Sequence, residues 1–245
     1  MRAFWAVLVS MLLLIFIWQI VIVSTGVQRF ILPEPLKVAQ SIWKSRALLA
    51  EHALITISEV ILGLVLGVLL GMITAIQLAS SAWASTYLRP VLVFTQAVPV
   101  FALAPILTLW FGYGIWSKIA MALLIIYFPV TSAFYDGLMR TPPGYIDLAR
   151  TMGSGTWRTM VCMKIPAAVP SLMSGIRLAA VYAPIGAIIG EWVGASKGLG
   201  YLMLRANGEV KTDLMFAALV VLAAFTVVLH MAIDRAAARI TDRYS

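Results

Sequence analysis

Charged residues are scarce in this chain of 245 residues. Asp, Glu, Lys and Arg together make up 11% of it, whereas hydrophobic residues make up 62%. A soluble domain of this length is usually roughly half apolar and a quarter charged. The composition therefore excludes an ordinary soluble protein, and apolar runs far longer than barrel strands predict an all-α, polytopic membrane protein.

The residues needed for disulfide bonds, ATP binding, metal binding and nucleic-acid binding are also missing or too few. The single cysteine, Cys162, cannot form an intrachain disulfide. No G-x4-G-K-[ST] motif is present, so the chain is not expected to bind ATP by that motif. His52 and His230 have no second ligand at metal spacing, which predicts no metal site and no cofactor in this chain. The net charge of +8 comes without a basic stripe carrying interleaved aromatics, so no nucleic-acid partner is expected.

Six apolar segments are each near the ~20 residues that a helix needs to span a membrane. They are Phe4–Val23, Ala53–Leu78, Pro90–Phe111, Ile119–Leu138, Ala167–Val193 and Leu214–Ile233. The first is too long for the apolar core of a signal peptide and lacks a clear cleavage site, so we interpret it as a retained span. A single domain over residues 1–245 accounts for the length.

The segments between these spans predict the division of that domain. Residues 1–52 would hold the first span and a short interfacial helix over Lys37–Glu51, with Trp43 at headgroup level, although a plain linker is the alternative. Residues 53–233 would form the core, and residues 234–245 a tail. Glycines four residues apart, such as Gly63 and Gly67, predict close helix packing without showing whether it lies within one chain or across a dimer.

The longest polar interruption, residues 140–166, contains a short amphipathic helix. Apolar residues Tyr145, Leu148, Ala149 and Met152 fall at i, i+3, i+4 and i+7, which places them on one helical face. Two prolines suit the helix start, and Gly153 suits its end. A helix this short between two spans has no surface of its own chain to cover that face, which predicts docking into another protein.

This stretch resembles a cytoplasmic loop of ABC-importer permeases. That loop has the pattern E-A-A, three residues, Gly, nine residues and I-x-L-P. Asp147-Leu148-Ala149 stands at E-A-A, Gly153 follows after three residues, and Met163-Lys164-Ile165-Pro166 follows after nine more. The substitutions depart from the letters of the pattern but keep the charge sign, the helix face, the glycine and the proline. The resemblance extends over residues 1–245 and is nearest to the nitrate, sulfonate and taurine type.

The resemblance implies a type I importer permease fold with about six transmembrane helices and a coupling helix that docks into an ATPase. The residues that would serve this docking are Tyr145, Asp147, Leu148, Ala149, Met152, Gly153 and Pro166. The implied assembly is a homodimer in the bacterial inner membrane, with two ABC ATP-binding subunits that hold ATP and Mg and a periplasmic or lipid-anchored substrate-binding protein. Lysines and arginines are divided evenly between the two sides, so it is the resemblance that places both termini in the cytoplasm.

Polar or helix-breaking residues inside the spans predict the pathway, because freed backbone carbonyls must face protein or a water-lined cavity. These candidates are Gln96, Pro99, Phe101, Pro105, Pro184, Glu191 and Trp192. Alternatively, the prolines only kink packed helices, and Glu191 only pairs with a loop base such as Lys197.

The substrate is left open by the sequence. Residues 212–219 resemble members assigned to thiamine-pyrimidine precursors, such as hydroxymethylpyrimidine or a formylaminopyrimidine. Sulfonate, taurine or nitrate is the alternative. A proton-coupled transporter is a rival that would depend on Glu191, Glu59 and Asp136. A membrane-embedded enzyme is a further rival, but no nucleophile with a base and no set of metal ligands is visible in the spans.

Overall fold

A computed structural model describes the backbone of residues 2–243 and the side chains of residue 9 and residues 12–243. The described part is almost entirely helical and contains no strand. Its α-helices are α1 (Arg2–Thr25), α2 (Pro35–Lys44), α3 (Arg46–Ser80), α4 (Ala82–Ala97), α5 (Val100–Phe111), α6 (Ile115–Met139), α7 (Pro143–Thr151), α8 (Thr156–Thr159), α9 (Ile165–Gly194), α10 (Leu199–Gly208) and α11 (Thr212–Thr241). A π-helical turn, Met160–Lys164, joins α8 to α9.

Four helical stretches are long and apolar enough to cross a membrane. They are α3, α6, the continuous stretch Thr156–Gly194 and α11, with 35, 25, 39 and 30 residues. The apolar part of α1 within the described side chains is Leu12–Thr25; the side chains of residues 4–8, where the first predicted span begins, lie outside the described residues. Five of the six predicted apolar segments therefore each fall on one helix, and the all-α membrane class is confirmed.

The third predicted span is wrong as a single helix. Instead of one helix over Pro90–Phe111, the structure has α4 and α5 joined at an angle of 100°. Val98 is extended, with φ −83° and ψ 120°, and Pro99 precedes the first residue of α5. The residue before a proline disfavours the helical conformation, which explains why the break falls here. Pro105 does not interrupt the helix and lies inside α5.

The predicted interfacial helix over Lys37–Glu51 divides at Ser45. Its first part is α2, which is fixed to the bundle by Val38, whose side chain is 2% exposed. Trp43 on the same helix is 72% exposed. The second part is the beginning of α3, because Arg46 starts a helix that continues through the membrane without a break.

Two further boundaries differ from the prediction. Helical structure resumes at Thr156, so Pro166 is the second residue of α9 instead of the end of a loop. At the other end of the chain, α11 continues past Ile233 to Thr241, so most of the predicted tail is helical; residues 244 and 245 lie outside the described residues.

The core is built around α6, which packs between α3 and α9. Glycines permit this close approach. A Cβ atom at Gly63 of α3 would lie 2.8 Å from the Ala122 Cβ, and one at Gly186 of α9 would lie 2.5 Å from the Ala122 Cα. The predicted small-residue packing of these two helices is therefore made within one chain.

Candidate functional site

The short helix α7 begins and ends where the sequence predicts. Pro142 precedes it and Pro143 is its first residue, where a missing N–H group costs no helical hydrogen bond. Gly153 ends it with φ +73°, a conformation that glycine adopts without strain. The Ser154 N–H group then donates to the Ala149 carbonyl at 2.9 Å, which satisfies one of the terminal carbonyls.

Three of the four apolar side chains on α7 point away from the chain. Tyr145 is 55% exposed, Leu148 51% and Met152 75%, whereas Ala149 is 2% exposed and fixes the helix to the bundle. Trp157, in the adjoining α8, is 66% exposed. We call Tyr145, Leu148, Met152 and Trp157 the docking surface. It is an apolar surface without a partner in the described part of the chain.

Charged groups lie beside this surface. Asp147 and Arg150 form an exposed ion pair with 3.5 Å between Oδ1 and the guanidinium Nη1. Pro166, which was predicted as part of the same site, is half-buried in the first turn of α9. The structure thus brings six of the seven predicted docking residues together on α7 and its end, and places Pro166 in the span that follows.

At the opposite end of the bundle, Glu191 lies in a cluster of buried polar groups. Its side chain is 1% exposed. The Thr56 hydroxyl donates to Oε1 at 2.6 Å, and the backbone N–H groups of Gly200 and Tyr201 donate to Oε2 at 2.5 and 3.3 Å. The Thr56 hydroxyl in turn accepts the Leu199 N–H group at 2.8 Å. The first N–H groups of α10 are therefore bound by a carboxylate and a hydroxyl group from two other helices.

Glycine and histidine complete this arrangement. Gly198 has φ +115°, and a Cβ atom there would collide with the Glu191 carboxyl group. A Cβ atom at Gly200 would lie 2.9 Å from Glu191 Oε2. The Gly198 N–H group donates to His52 Nδ1 at 3.0 Å, and the His52 ring stacks on the Tyr201 ring with 6.1 Å between centroids. Gly198 and Gly200, on either side of Leu199, thus let the backbone pack directly against the Glu191 carboxyl group.

A second buried carboxylate lies next to the first. Glu59 is 1% exposed, and its Oε1 lies 3.3 Å from the Nζ of Lys118, whose side chain is 7% exposed. A Cβ atom at Gly190 would lie 3.0 Å from the Lys118 Cα, so this glycine lets α6 approach α9 here. We call Glu59, Glu191, Lys118, Thr56 and His52 the polar cluster. The fourth predicted span begins at Ile119, so sequence reasoning left Lys118 outside it, whereas α6 begins at Ile115 and contains this lysine.

Lys197 is not the partner of Glu191. Its Nζ atom binds Glu51 Oε1 at 2.9 Å, and both side chains are more than half exposed. The alternative in which Glu191 pairs with Lys197 is therefore wrong, because the Glu191 side chain is buried and the Lys197 side chain is exposed.

Three predicted pathway residues meet in an apolar groove. Phe101 from α5 and Pro184 and Trp192 from α9 line a groove of about 770 Å³ that α11 closes on its other side. The remaining lining residues are Val181, Ile185, Ile188, Ile189, Met203, Leu219, Leu222, Ala223, Thr226 and Val227. Thr226 is the only one of these lining residues that carries a hydroxyl group. Glu191 faces the polar cluster and does not line this groove.

The other pathway candidates lie elsewhere. Gln96, Pro99 and Pro105 are exposed on α4, the break and α5, and none of them lines the groove. Gln96 and Pro99 lie at the bend between α4 and α5. The polar and helix-breaking residues in this segment therefore indicated the helix break and not a lining of the groove.

Comparison with known proteins bears on the function of this arrangement. The family described as binding-protein-dependent transport system inner membrane component matches residues 67–245. The chain belongs to this family. This permease is 49% identical over 221 residues to the "probable ABC transporter permease protein" of Haemophilus influenzae, with 90% of each chain covered.

Two further relatives have names that state a solute. The permease is 37% identical over 212 residues to the formylaminopyrimidine transport permease protein ThiX of Halalkalibacterium halodurans, covering 86% of this chain and 84% of that one. It is 36% identical over 225 residues to the riboflavin transport system permease protein RibX of Chloroflexus aurantiacus, covering 91% and 84%.

Solved structures show the same fold. A chain of an amino acid ABC transporter solved with histidines has a TM-score of 0.64 at 18% identity, covering 83% of this permease and 97% of that chain. A chain of the inward-facing MetNI methionine ABC transporter has a TM-score of 0.60 at 19% identity, covering 85% and 98%. The permease is thus a multi-pass transport subunit of an ABC importer and not an enzyme, and ATP binding belongs to a partner ATPase.

Proposed function

We propose that the permease works as a homodimer in which each copy inserts α7 into one ATPase subunit. The single observation that carries this proposal is the docking surface. Tyr145, Leu148 and Met152 are each at least half exposed on a helix between two spans, in a position where water and lipid headgroups offer no apolar partner. A cleft in the ATPase would cover these side chains, and Asp147 would make a polar contact at its edge.

The connection from α7 to the membrane supports a role in coupling. Gly153 and Ser154 turn the chain directly into α8, and the helical stretch from Thr156 runs without a break to Gly194. A movement of α7 would therefore pass to α9, whose Pro184 and Trp192 line the apolar groove. ATP-driven closure of two ATPase subunits would rock the groove between inward and outward access.

This arrangement also sets the proposed orientation. If α7 meets an ATPase, it lies on the cytoplasmic side of the bacterial inner membrane, and the polar cluster lies on the outer side. Arg235, Arg239 and Arg243 follow the apolar part of α11, as expected for its cytoplasmic end. Both termini would then be cytoplasmic, and a substrate-binding protein would meet the end that carries α10.

For the solute, we propose a thiamine-pyrimidine precursor, such as hydroxymethylpyrimidine or a formylaminopyrimidine. The similarity to ThiX supports this class. The groove carries no basic side chain to bind an anion, which favours a neutral heteroaromatic solute over sulfonate, taurine or nitrate. Riboflavin is the second candidate, because the similarity to RibX is nearly as high.

Docking is tested by co-purification of the permease with its ATPase. We expect Leu148→Arg to abolish co-purification while the permease stays folded, because a charge would enter an apolar cleft. Leu148→Met, which keeps the apolar volume, is the matched control and should retain the ATPase. Full co-purification and normal uptake by Leu148→Arg would contradict the proposal.

The solute is tested in proteoliposomes that contain the permease, its ATPase and its binding protein. Uptake of labelled hydroxymethylpyrimidine or formylaminopyrimidine should depend on ATP and exceed uptake of taurine and riboflavin. ATP-dependent uptake of riboflavin or taurine alone would overturn the solute class without affecting the docking proposal.

A further inference from the structure

The polar cluster has an unequal number of opposite charges. Glu59 and Glu191 are each 1% exposed, and Lys118 is, among the described residues, the one basic group bound to either of them. If both carboxyl groups were ionised, the buried site would carry a net negative charge. Such a charge is strongly unfavourable inside a membrane bundle and requires a compensating positive charge.

The hydrogen bonds show which carboxyl group is ionised. Glu191 accepts the N–H groups of Gly200 and Tyr201. It also accepts the Thr56 hydroxyl at 2.6 Å, a much shorter distance than the 3.3 Å from this hydroxyl to the His52 carbonyl. Three donors directed at one carboxyl group favour its ionised form.

Glu59 differs in this respect. Its Oε1 faces Lys118 at 3.3 Å, but among the described residues no N–H or O–H group reaches its Oε2, although this atom is fully buried. Glu59 follows Thr56 by three residues on the same face of α3, and the Thr56 hydroxyl contacts Glu191, so the two carboxyl groups are neighbours. A proton on one of them would let them form a hydrogen bond with each other. Two ionised carboxylates cannot do so, because each of them only accepts.

We propose that the polar cluster binds one proton, which Glu59 holds on Oε2 and donates to the Glu191 carboxylate. The site then contains one ammonium group, one carboxylate and one neutral carboxylic acid, and its charges balance. The buried Oε2 atom gains its missing partner. This proton site is independent of the proposed docking and of the proposed solute.

A metal ion fits the cluster poorly. Among the described residues, no group of three Asp, Glu, His or Cys side chains is positioned to hold a metal ion. The Lys118 ammonium group already faces one of the two carboxyl groups and would repel a second cation. A proton needs no further ligand, and one hydrogen bond between the two carboxyl groups satisfies it.

The titratable groups around the proton come from four helices. On α3, the His52 Nδ1 atom lies 3.0 Å from both the backbone N–H group and the carbonyl oxygen of Gly198. Lys118 faces the site from α6, Glu191 from α9, and the Tyr201 ring from α10 beside His52. The Glu51–Lys197 pair lies outside this group, at an exposed position.

The proposal is tested by infrared difference spectroscopy of the whole transporter complex at neutral pH. The wild-type protein should show the carbonyl stretch of a buried carboxylic acid, and Glu59→Gln should remove it. Glu51→Gln, on the same helix but exposed, is the matched control and should leave the band unchanged. Absence of the band in the wild-type protein, or its persistence in Glu59→Gln, would overturn the proposal.

Thermal unfolding against pH gives a second readout. Because the folded state would hold a proton that the unfolded chain releases at neutral pH, wild-type stability should fall as the pH is raised. The amide introduced by Glu59→Gln has the shape of the protonated acid and can donate to Glu191, so this variant should unfold near the wild-type temperature and lose that pH dependence. A Glu59→Gln variant that unfolds far below wild type, or keeps the same pH dependence, would contradict the assignment.

Discussion

The two ends of the bundle differ in which side chains they expose: one end exposes apolar side chains, and the other buries charged ones. At one end, α7 exposes Tyr145, Leu148 and Met152. At the other end, about 30 Å away along α6, Glu59 and Glu191 are buried and hydrogen-bonded or paired. The docking surface leaves apolar side chains exposed, as expected for a site that another protein covers. The polar cluster instead has its charged and polar groups bound to each other within the chain. Substitutions on the exposed surface of the first end should change assembly, and removal of the buried hydrogen-bonding groups at the second end should change folding.

The largest effect is expected at Glu191. Glu191→Ala removes the acceptor of the Gly200 and Tyr201 N–H groups and of the Thr56 hydroxyl. We expect a loss of stability of about 3–5 kcal/mol, seen as a collapse of folded yield in detergent. A well-folded Glu191→Ala variant would mean that the cluster does not hold α10 in place.

A smaller loss of stability is expected at Gly198. Gly198→Ala places a side chain at φ +115° and against the Glu191 carboxyl group. The backbone conformation alone should cost about 1–3 kcal/mol, measured as a lower unfolding temperature. Gly208→Ala, at the other end of α10 with no atom within 4 Å of its Cβ, is the control and should unfold like the wild type.

At the α7 end the expected effect is on assembly alone. Met152→Ser should leave the unfolding temperature of the isolated permease unchanged, because the side chain is 75% exposed. Its affinity for the ATPase should fall by roughly tenfold, since burial of a methionine contributes about 1.5 kcal/mol. Affinity measured by titration of the ATPase separates the two effects, and a lower unfolding temperature with normal affinity would remove the contrast between the ends.

The smallest effect is expected at the exposed pair beside the cluster. Glu51→Gln breaks the ion pair with Lys197, which water already screens on both sides. The unfolding temperature should stay within experimental error of the wild type. A marked decrease would show that the stabilising contacts of this end extend beyond the buried groups.

Local signals made α7 predictable from the sequence. Its prolines, its apolar spacing and Gly153 all lie within about a dozen residues, and each of them acts on its immediate neighbours. The family resemblance depended on the same stretch. The structure therefore reproduces the helix with its exposed face almost residue by residue.

The polar cluster could not be predicted in the same way. Thr56 and Glu191 are 135 residues apart in the chain, and His52 and Gly198 are 146 apart. Their contact depends on how α3, α6 and α9 pack, and no local pattern encodes it. Glu191 was singled out because its burial is costly, but its partners follow from the tertiary fold.

The break before α5 lies between these cases. Pro99 marked a weak point in the third apolar segment, because proline lacks an N–H group and constrains the preceding residue. The 100° angle between α4 and α5, however, depends on which surfaces the two halves pack against. The sequence could locate the interruption without giving its geometry.

The π-helical turn Met160–Lys164 has a consequence for the length of the segment that joins α7 to the membrane. A single π turn accommodates one residue more than an α-helix needs, and it keeps the faces of the helix on either side in phase. The connection from Gly153 to Pro166 therefore contains one residue more than a regular α-helix would need to join the same two ends. Deleting one residue there, such as the exposed Cys162, would leave a regular helix with both faces still aligned. Adding one residue would rotate α7 by about 100° around the axis of α9. The direction in which the docking surface faces should therefore survive deletion of one residue from this segment but not insertion of one.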